Sequence, residues 1–311
     1  MMQKLRLALL SGGTSSEREV SLNSGSQVYE FLDKEKYDIR RYDPQTDLTQ
    51  LVLDKDHIDA ALLILHGPYG EDGTVQGLLD LLGIPYQGAG VLGSALAMNK
   101  LAAKQMYRTA DIPIPDFLFF TRHDPVDISM CIRQLGLPVV VKPVCAGSSK
   151  GLTIVKEEKE LSPAVEAAFH HDDTVLVETY ISNGVELTCG VIGNKDLEAL
   201  PVIEIIPGNG YEFFDYNAKY LEGATEEICP ARISDTIRKK VQEYAVSAHK
   251  ALFLKGYSRT DMMLKNDELY ILETNTIPGM TQTSLYPQAA AAAGYPFSEL
   301  LDKLIQLGLE K

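Results

Sequence analysis

The chain has no excess of basic residues: 29 Lys and Arg stand against 43 Asp and Glu, a formal net charge of −14. That balance excludes a protein that coats nucleic acid by charge and favours small molecules as partners, although a local basic patch can still hold phosphates. Cysteine is scarce. Cys131, Cys145, Cys189 and Cys229 form no CxxC pair, which excludes the disulfide framework of a small secreted domain and leaves reduced thiols in the cytoplasm as the expectation. Long apolar runs are missing too. No segment approaches the roughly 18 to 20 apolar residues that cross a bilayer, and "MMQKLRLALLSGG", broken by Arg6, is too short an apolar run for a signal peptide. Neither internal repeats nor low-complexity tracts occur beyond "AAAAAG" (289–294), which reads as helix.

Two phosphate-binding signatures are also absent. "SGGTSSEREVS" (11–21) lacks the GxGxxG spacing of a dinucleotide fold, which argues against a Rossmann oxidoreductase, and "CAGSSKG" (145–151) lacks the GxxxxGK[ST] spacing of a Walker loop.

What is present is a globular chain of 311 residues, 45% hydrophobic, long enough for two or three domains. The first part alternates strand and helix signals ("LRLALLS", "EREVSLNSGSQVYEFL", "DIRRYDP", "DAALLILHG", "GTVQGLLDLLG"), which predicts parallel strands with crossover helices in residues 1–97. A helix over "GSALAMNKLAAKQMYRTAD" leads to a second unit, 98–185. There "PVVVKP", "GLTIVK", "TVLVETYI" and "VELTCGVIG" crowd together as an antiparallel sheet with the helix "LSPAVEAAFHH". A third unit, 186–311, contains "LPVIEIIP", an aromatic loop, the helix "SDTIRKKVQEYAVSAHKALF" and an apolar hairpin, "SRTDMML" to "ELYILETN".

The hairpin carries the first chemical signal. Arg259 and Asp261 lie two apart on one strand, as Glu273 and Asn275 do on the other, so each pair shares a face. A three-residue loop at Lys265 to Asp267 would set Asp261 opposite Ile271 and Arg259 opposite Glu273; a two-residue loop would put the pairs on opposite faces. An odd loop or a bulge is therefore expected. Two carboxylates and an amide oxygen are hard ligands suited to Mg²⁺, and magnesium with few protein ligands implies a nucleotide.

Other residues strengthen that reading. Lys142 ends the buried run "PVVVKP", where an ammonium points to a phosphate contact. In the loop that follows, Gly147 and Gly151 permit close backbone approach, and Ser148 and Ser149 can donate to phosphate oxygens. Glu178 ends the strand "VLVETYI", which could offer backbone groups to an adenine, with Glu186 beyond it for ribose hydroxyls. Glu17 opens the first helix, where an acid suits an ammonium better than a phosphate; His66 closes a strand at the end where doubly wound sheets place ligands. "HHDD" (170–173) reads as a solvated turn and Cys145 as a bystander.

Together "GGTSSEREVSLNSG", "HGPYGEDGTVQGLL", "MNKLAAK", "VVVKP" with "GSSKG", "DYNAKYLEG", "RTDMML" and "ETNTIPGMTQTSL" resemble, in order and over essentially the whole chain, the D-alanine–D-alanine ligase family of the ATP-grasp superfamily. The resemblance implies an α/β ATP-grasp fold, α+β in its nucleotide-binding half, in which an N-terminal parallel-sheet domain is followed by two sheet-containing domains clasping ATP. It implies that Lys100, Lys142 and Lys219 contact ATP phosphates with Ser149, that Glu178, Thr179, Tyr180 and Ile181 hold adenine, and that Glu186 holds ribose. Asp261, Glu273 and Asn275 would ligate Mg²⁺ or Mn²⁺. Glu17, with His66 near, would hold the first D-alanine, and Ser284 with the amide of Leu285 the carboxylate of the second. Arg259 and the amide of Gly279 would form an oxyanion site, and Tyr220 would join Ser148 and Glu17 in a hydrogen-bonded triad. Tyr220 also accompanies dipeptide rather than D-lactate-ester synthesis in the resembling family, and "GYEFFDYNAKYLEG" (210–223) would be the lid. Lys150 departs from the family pattern, which carries a small or apolar residue there. A cytoplasmic homodimer with no nucleic-acid or membrane partner is expected. The rival readings are another ATP-grasp ligase with a different acceptor, and a catalytically silent nucleotide-binding regulator, which the intact Arg259, Asp261, Glu273 and Asn275 set disfavours.

Overall fold

The computed structural model describes residues 3–147, 150–208 and 225–310. The chain opens with β1 (Leu5–Ser11), α1 (Arg18–Phe31), β2 (Tyr37–Tyr42), α2 (Leu48–Leu53), β3 (Ala60–Ile64) and α3 (Thr74–Leu82). The strands form a parallel sheet in the order β2-β1-β3. β3 is buried along its whole length, as the unbroken apolar run of a strand covered on both faces requires. Because β1 and β3 run parallel, the segments after them, 12–17 and 65–73, emerge at the same edge. Ser15 Oγ ties them by donating to the His66 carbonyl at 2.6 Å.

Next come α4 (Val91–Met98), α5 (Lys100–Thr109), β4 (Phe117–Thr121), α6 (Ile128–Leu135), β5 (Val139–Pro143), β6 (Thr153–Val155), α7 (Glu158–Phe169) and β7 (Thr174–Thr179). The one linking helix expected from the sequence is two. Asn99 leaves the helical region at φ −86°, ψ 98°, and its side chain caps α5 by accepting from the Ala102 amide at 2.9 Å. β4, β7, β5 and β6 make an antiparallel sheet in that order, with Val139, Val141, Val175 and Val177 packed against α6 and α7.

The last part contains β8 (Val185–Ile192), β9 (Glu198–Ala199), β10 (Ile203–Pro207), β11 (Thr225–Ile228), α8 (Asp235–Ala251), β12 (Tyr257–Lys265), β13 (Glu268–Asn275), α9 (Leu285–Ala292) and α10 (Phe297–Leu309). These strands form a third sheet, β11-β10-β8-β12-β13, with β9 on β8. β8 corrects the sequence reading: "VELTCGVIG" does not join the second sheet but lies at the centre of the third, between β10 and β12. A strand buried from Leu187 to Ile192 needs a neighbour on each edge, and strand signals alone do not name those neighbours. Its Gly190 lets Tyr286 of α9 close on the sheet; a Cβ there would meet the Tyr286 ring at 2.9 Å.

The first and third sheets share one core. Leu9, Leu62 and Ile64 pack in the same cluster as Ile203, Tyr257, Leu300 and Leu304, so α10 returns to the sheet that began the chain. Burial of each such side chain contributes roughly 1.5–3 kcal/mol. Where these parts meet, Gly256 at φ +71° approaches so closely that a Cβ would lie 2.8 Å from the Gly88 amide nitrogen.

Candidate active site

Two cavities lie along the third sheet. One, of about 600 Å³, sits between the second and third sheets and is lined by Lys142, Glu178, Thr179, Tyr180, Ile181, Glu186, Asp261 and Leu272 among others. The other, of about 470 Å³, sits between the first and third and is lined by Glu17, His66, Glu71, Arg259, Asn275, Gly279, Ser284 and Leu285. Lys100 and Glu273 line both, so they mark where the two meet. Ser148, Ser149, Lys219 and Tyr220, and with them the expected lid, lie outside the described residues.

The hairpin of β12 and β13 builds that boundary. Its loop is an even one, Asn266–Asp267, both at positive φ (50° and 63°) as a tight hairpin turn requires. A bulge between Asp261 and Met262 then shifts the register by one, leaving Leu272 as the extra residue. The bulge meets the expectation of an odd loop or a bulge. The pairing differs by two residues from the odd-loop register: Asp261 stands opposite Glu273, and Arg259 opposite Asn275. Arg259 grips Asp261 through two hydrogen bonds of 2.9 Å, Nε to Oδ1 and Nη2 to Oδ2. Thr188 Oγ1 donates to Asp261 Oδ1 at 2.6 Å, and Asn275 Nδ2 to Oδ2 at 3.1 Å. Arg259, Thr188 and Asn275 are thereby gathered around Asp261, with Glu273 opposite it in register.

Lys100 Nζ lies 3.3 Å from Glu273 Oε2 and donates to the Ala146 carbonyl at 2.8 Å, which joins the hairpin to the loop after β5. Lys142 pairs with Glu178 Oε1, and the fully buried Lys104 lies 2.7 Å from Glu178 Oε2. Burial alone would raise the Glu178 carboxyl, but the charges of Lys104 and Lys142 outweigh it and hold it down at about 2.

In the second cavity, Glu17 precedes α1 and is 6% exposed. Burial pushes the His66 imidazole below its ordinary value, against the opposing pull of the Glu17 charge. Glu71 Oε2 accepts from the Gly67 amide at 2.6 Å; burial and then the Glu17 charge push its carboxyl up to about 8, so it is largely neutral at pH 7. Ser284 stands just before α9 without capping it through its side chain; its Oγ instead accepts from the Thr281 amide at 3.1 Å, and a Cβ on Gly279 would sit 3.0 Å from that Oγ.

The 170–173 segment is a turn whose Asp172 accepts from the Cys145 amide at 2.7 Å and whose Asp173 pairs with Arg122 at 2.7 Å. Cys145 is exposed, and desolvation followed by the neighbouring Asp172 carboxylate pushes its thiol up to about 11.

Family models described as D-ala D-ala ligase C-terminus and D-ala D-ala ligase N-terminus match residues 106–306 and 44–89. The chain is 60% identical over 308 residues to a D-alanine–D-alanine ligase of Syntrophobacter fumaroxidans, covering 99% of each, and 56% identical over 311 residues to one of Desulfotalea psychrophila, covering 99% and 96%. The chain belongs to the D-alanine–D-alanine ligase family. Among solved structures it resembles the family's Bacillus anthracis ligase complexed with ATP (TM-score 0.86, 37% identity, 98% and 97% covered). It also resembles the VanG D-Ala:D-Ser ligase of Enterococcus faecalis (TM-score 0.85, 36% identity, 98% and 100% covered).

The sequence pattern did not single out Glu71 and Leu272, which line the two cavities, or Lys104, which pairs with Glu178 behind them. Glu71 lies inside "HGPYGEDG", where only His66 closes a strand and so carries a positional signal. Lys104 had a readable signal: it is one helical turn from Lys100, on the same face of α5.

Proposed function

We propose that the protein joins two D-alanines into D-alanyl-D-alanine, converting ATP to ADP and phosphate, for peptidoglycan precursor synthesis. The observation that carries this reading is the meeting of the two cavities at Lys100 and Glu273, where the phosphate end of a nucleotide would reach the carboxylate of an amino acid whose ammonium sits on Glu17.

Lys100 and Lys142 take the ATP phosphates, with Ser149 and Lys219. The backbone from Glu178 through Thr179 and Tyr180 to Ile181 takes adenine, since the Glu178 carboxylate is committed to lysines. Glu186 takes ribose. The carboxylate of the first D-alanine, its ammonium on Glu17 near His66, attacks the γ-phosphorus; the bond to the β–γ bridging oxygen breaks and ADP leaves. The amine of the second D-alanine, its carboxylate on Ser284 and the Leu285 amide, loses a proton and adds to the acyl phosphate carbonyl. Arg259, oriented by Asp261, and the Gly279 amide stabilise the oxyanion; its collapse re-forms the carbonyl and breaks the C–O bond to the phosphoryl group, so phosphate leaves and the peptide remains. Ser148 and Tyr220 act with Glu17 as the hydrogen-bonded triad.

The donor set fits a divalent cation. Two carboxylates and an amide are hard oxygen donors on one hairpin face, Asp261 lies directly opposite Glu273, and each carboxylate is balanced by a cation, Arg259 or Lys100. Among the described residues no cluster of three His, Cys, Asp or Glu side chains offers an alternative. Asp261, Glu273 and Asn275 would hold Mg²⁺ or Mn²⁺, which when bound supplies positive charge to the transferring phosphoryl group.

The reading extends to a cytoplasmic homodimer of three-domain subunits (1–97, 98–185 and 186–311) with neither nucleic-acid nor membrane partners. Among the described residues no helix is long and apolar enough to cross a membrane. Phosphate release from ATP and Mg²⁺ tests the function with D-alanine, L-alanine, D-serine or D-lactate supplied. D-alanine-dependent release with dipeptide formed is expected, and its absence overturns the reading. A D-serine acceptor is the second reading, favoured by the likeness to the VanG ligase; a mixed D-alanyl-D-serine product forming faster than the dipeptide would select it.

A further inference from the structure

One face of α5 touches both sheets that enclose the larger cavity. Lys100, Lys104 and Tyr107 recur at helical spacing. Lys100 reaches Glu273, and Tyr107 Oη donates to Thr274 Oγ1 at 2.7 Å, both on β13 of the third sheet. Between them Lys104 turns to the second sheet, where its Nζ lies 2.7 Å from Glu178 Oε2 and 5.5 Å from the centre of the Phe117 ring. Lys104 has no exposed surface and lines neither cavity. Lys142, on the other oxygen of the same carboxylate, lines the larger one.

Burying an ammonium that reaches no ligand is costly, and a single lysine would suffice to neutralise Glu178. The second changes the sum. Lys142 and Glu178 alone make a neutral pair whose field cancels at the cavity wall; with Lys104 the cluster carries one net positive charge. We propose that Lys104 is a positioning residue for nucleotide binding: by sharing Glu178 it leaves the charge of Lys142 available at the cavity wall to the phosphates. The inference rests on the nucleotide reading of that cavity. It agrees with the protonation of the cluster, since burial pushes Lys104 only to about 8 against the pull of Glu178, while Glu178 stays ionised.

The test compares the full-length protein with Lys104→Met, Lys104→Arg and the double variant Lys104→Met/Glu178→Gln. The probes are calorimetric binding of a non-hydrolysable ATP analogue with Mg²⁺, and the separate KM values for ATP and D-alanine. Lys104→Met should weaken analogue binding and raise KM for ATP about tenfold, with KM for D-alanine within twofold. Lys104→Arg, which keeps the charge, should stay within about threefold of the unsubstituted protein. The double variant, which restores the single positive charge on Lys142, should bind the analogue at least about threefold more tightly than Lys104→Met. Unchanged ATP binding in Lys104→Met overturns the inference. An arginine variant as weak as the methionine one, or a double variant no better than the single, also overturns it by assigning Lys104 to packing alone. Should Lys104→Met not fold, the double variant is compared with Glu178→Gln alone: binding within about threefold of that variant supports action through Glu178, and binding about tenfold weaker overturns the inference. Failure of the unsubstituted protein to bind the analogue refutes the nucleotide reading itself, a result distinct from binding that Lys104→Met leaves unmoved.

Discussion

Gly147 stands so close to Glu17 that a Cβ on it would lie 2.5 Å from Glu17 Oε1. The restriction is one of space, because contacts under 3.0 Å require something to move. The loop after β5 therefore seats directly on the residue proposed to hold the first D-alanine. Gly147→Ala should displace one or the other, lowering kcat/KM for D-alanine about tenfold or more with little change in Tm. Unaltered kinetics would show that the loop gives way without cost to the site.

Glu273 is shared by the two cavities and paired with Lys100. Glu273→Gln keeps the shape and removes the charge. We expect kcat to fall at least about 100-fold and the Mg²⁺ concentration for half-maximal rate to rise, with an unchanged circular dichroism spectrum. Full activity at ordinary Mg²⁺ would remove Glu273 from the proposed metal set.

These two positions also measure what was legible beforehand. Glu273, Asp261, Arg259 and Asn275 were readable because period-two spacing on two adjacent strands needs only local geometry. Their register was not, since it depends on where the bulge falls, and Leu272 looks like any other apolar strand residue. The parallel first sheet was readable from its strand and helix alternation, whereas the place of β8 required knowing which edges remained unpaired. The contact of Gly147 with Glu17 joins segments 130 positions apart in the sequence, and no local pattern encodes it. Lys104 lay between: its helical face could be inferred, but the sheet that face meets could not.

Leu272, the bulge residue, lines the larger cavity beside Met263 and Asp261. If its contribution is apolar contact with the nucleotide, Leu272→Ala should raise KM for ATP roughly 5- to 30-fold, corresponding to about 1–2 kcal/mol of lost burial, with kcat nearly constant. The opposite pattern, a fall in kcat at constant KM, would show that the leucine instead holds Glu273 opposite Asp261.

His249, 1% exposed on α8, binds Ser258 Oγ through Nδ1 at 2.8 Å and so anchors the strand residue next to Arg259. Burial pushes its imidazole down to about 4, from 6.5 in the unfolded chain. Between those values the unfolded chain binds a proton that the folded protein does not, so stability rises with pH across the window and is lost as pH falls from about 6.5 toward 4. The loss amounts to about 2–4 kcal/mol for this group. Because carboxylates titrate in the same range, the measurement is a difference: Tm of the unsubstituted protein minus that of His249→Gln at each pH. That difference should fall by several degrees between pH 7 and pH 4.5. A flat difference would mean that the folded protein accommodates the imidazolium, and acid sensitivity would then have to arise from the carboxylates alone.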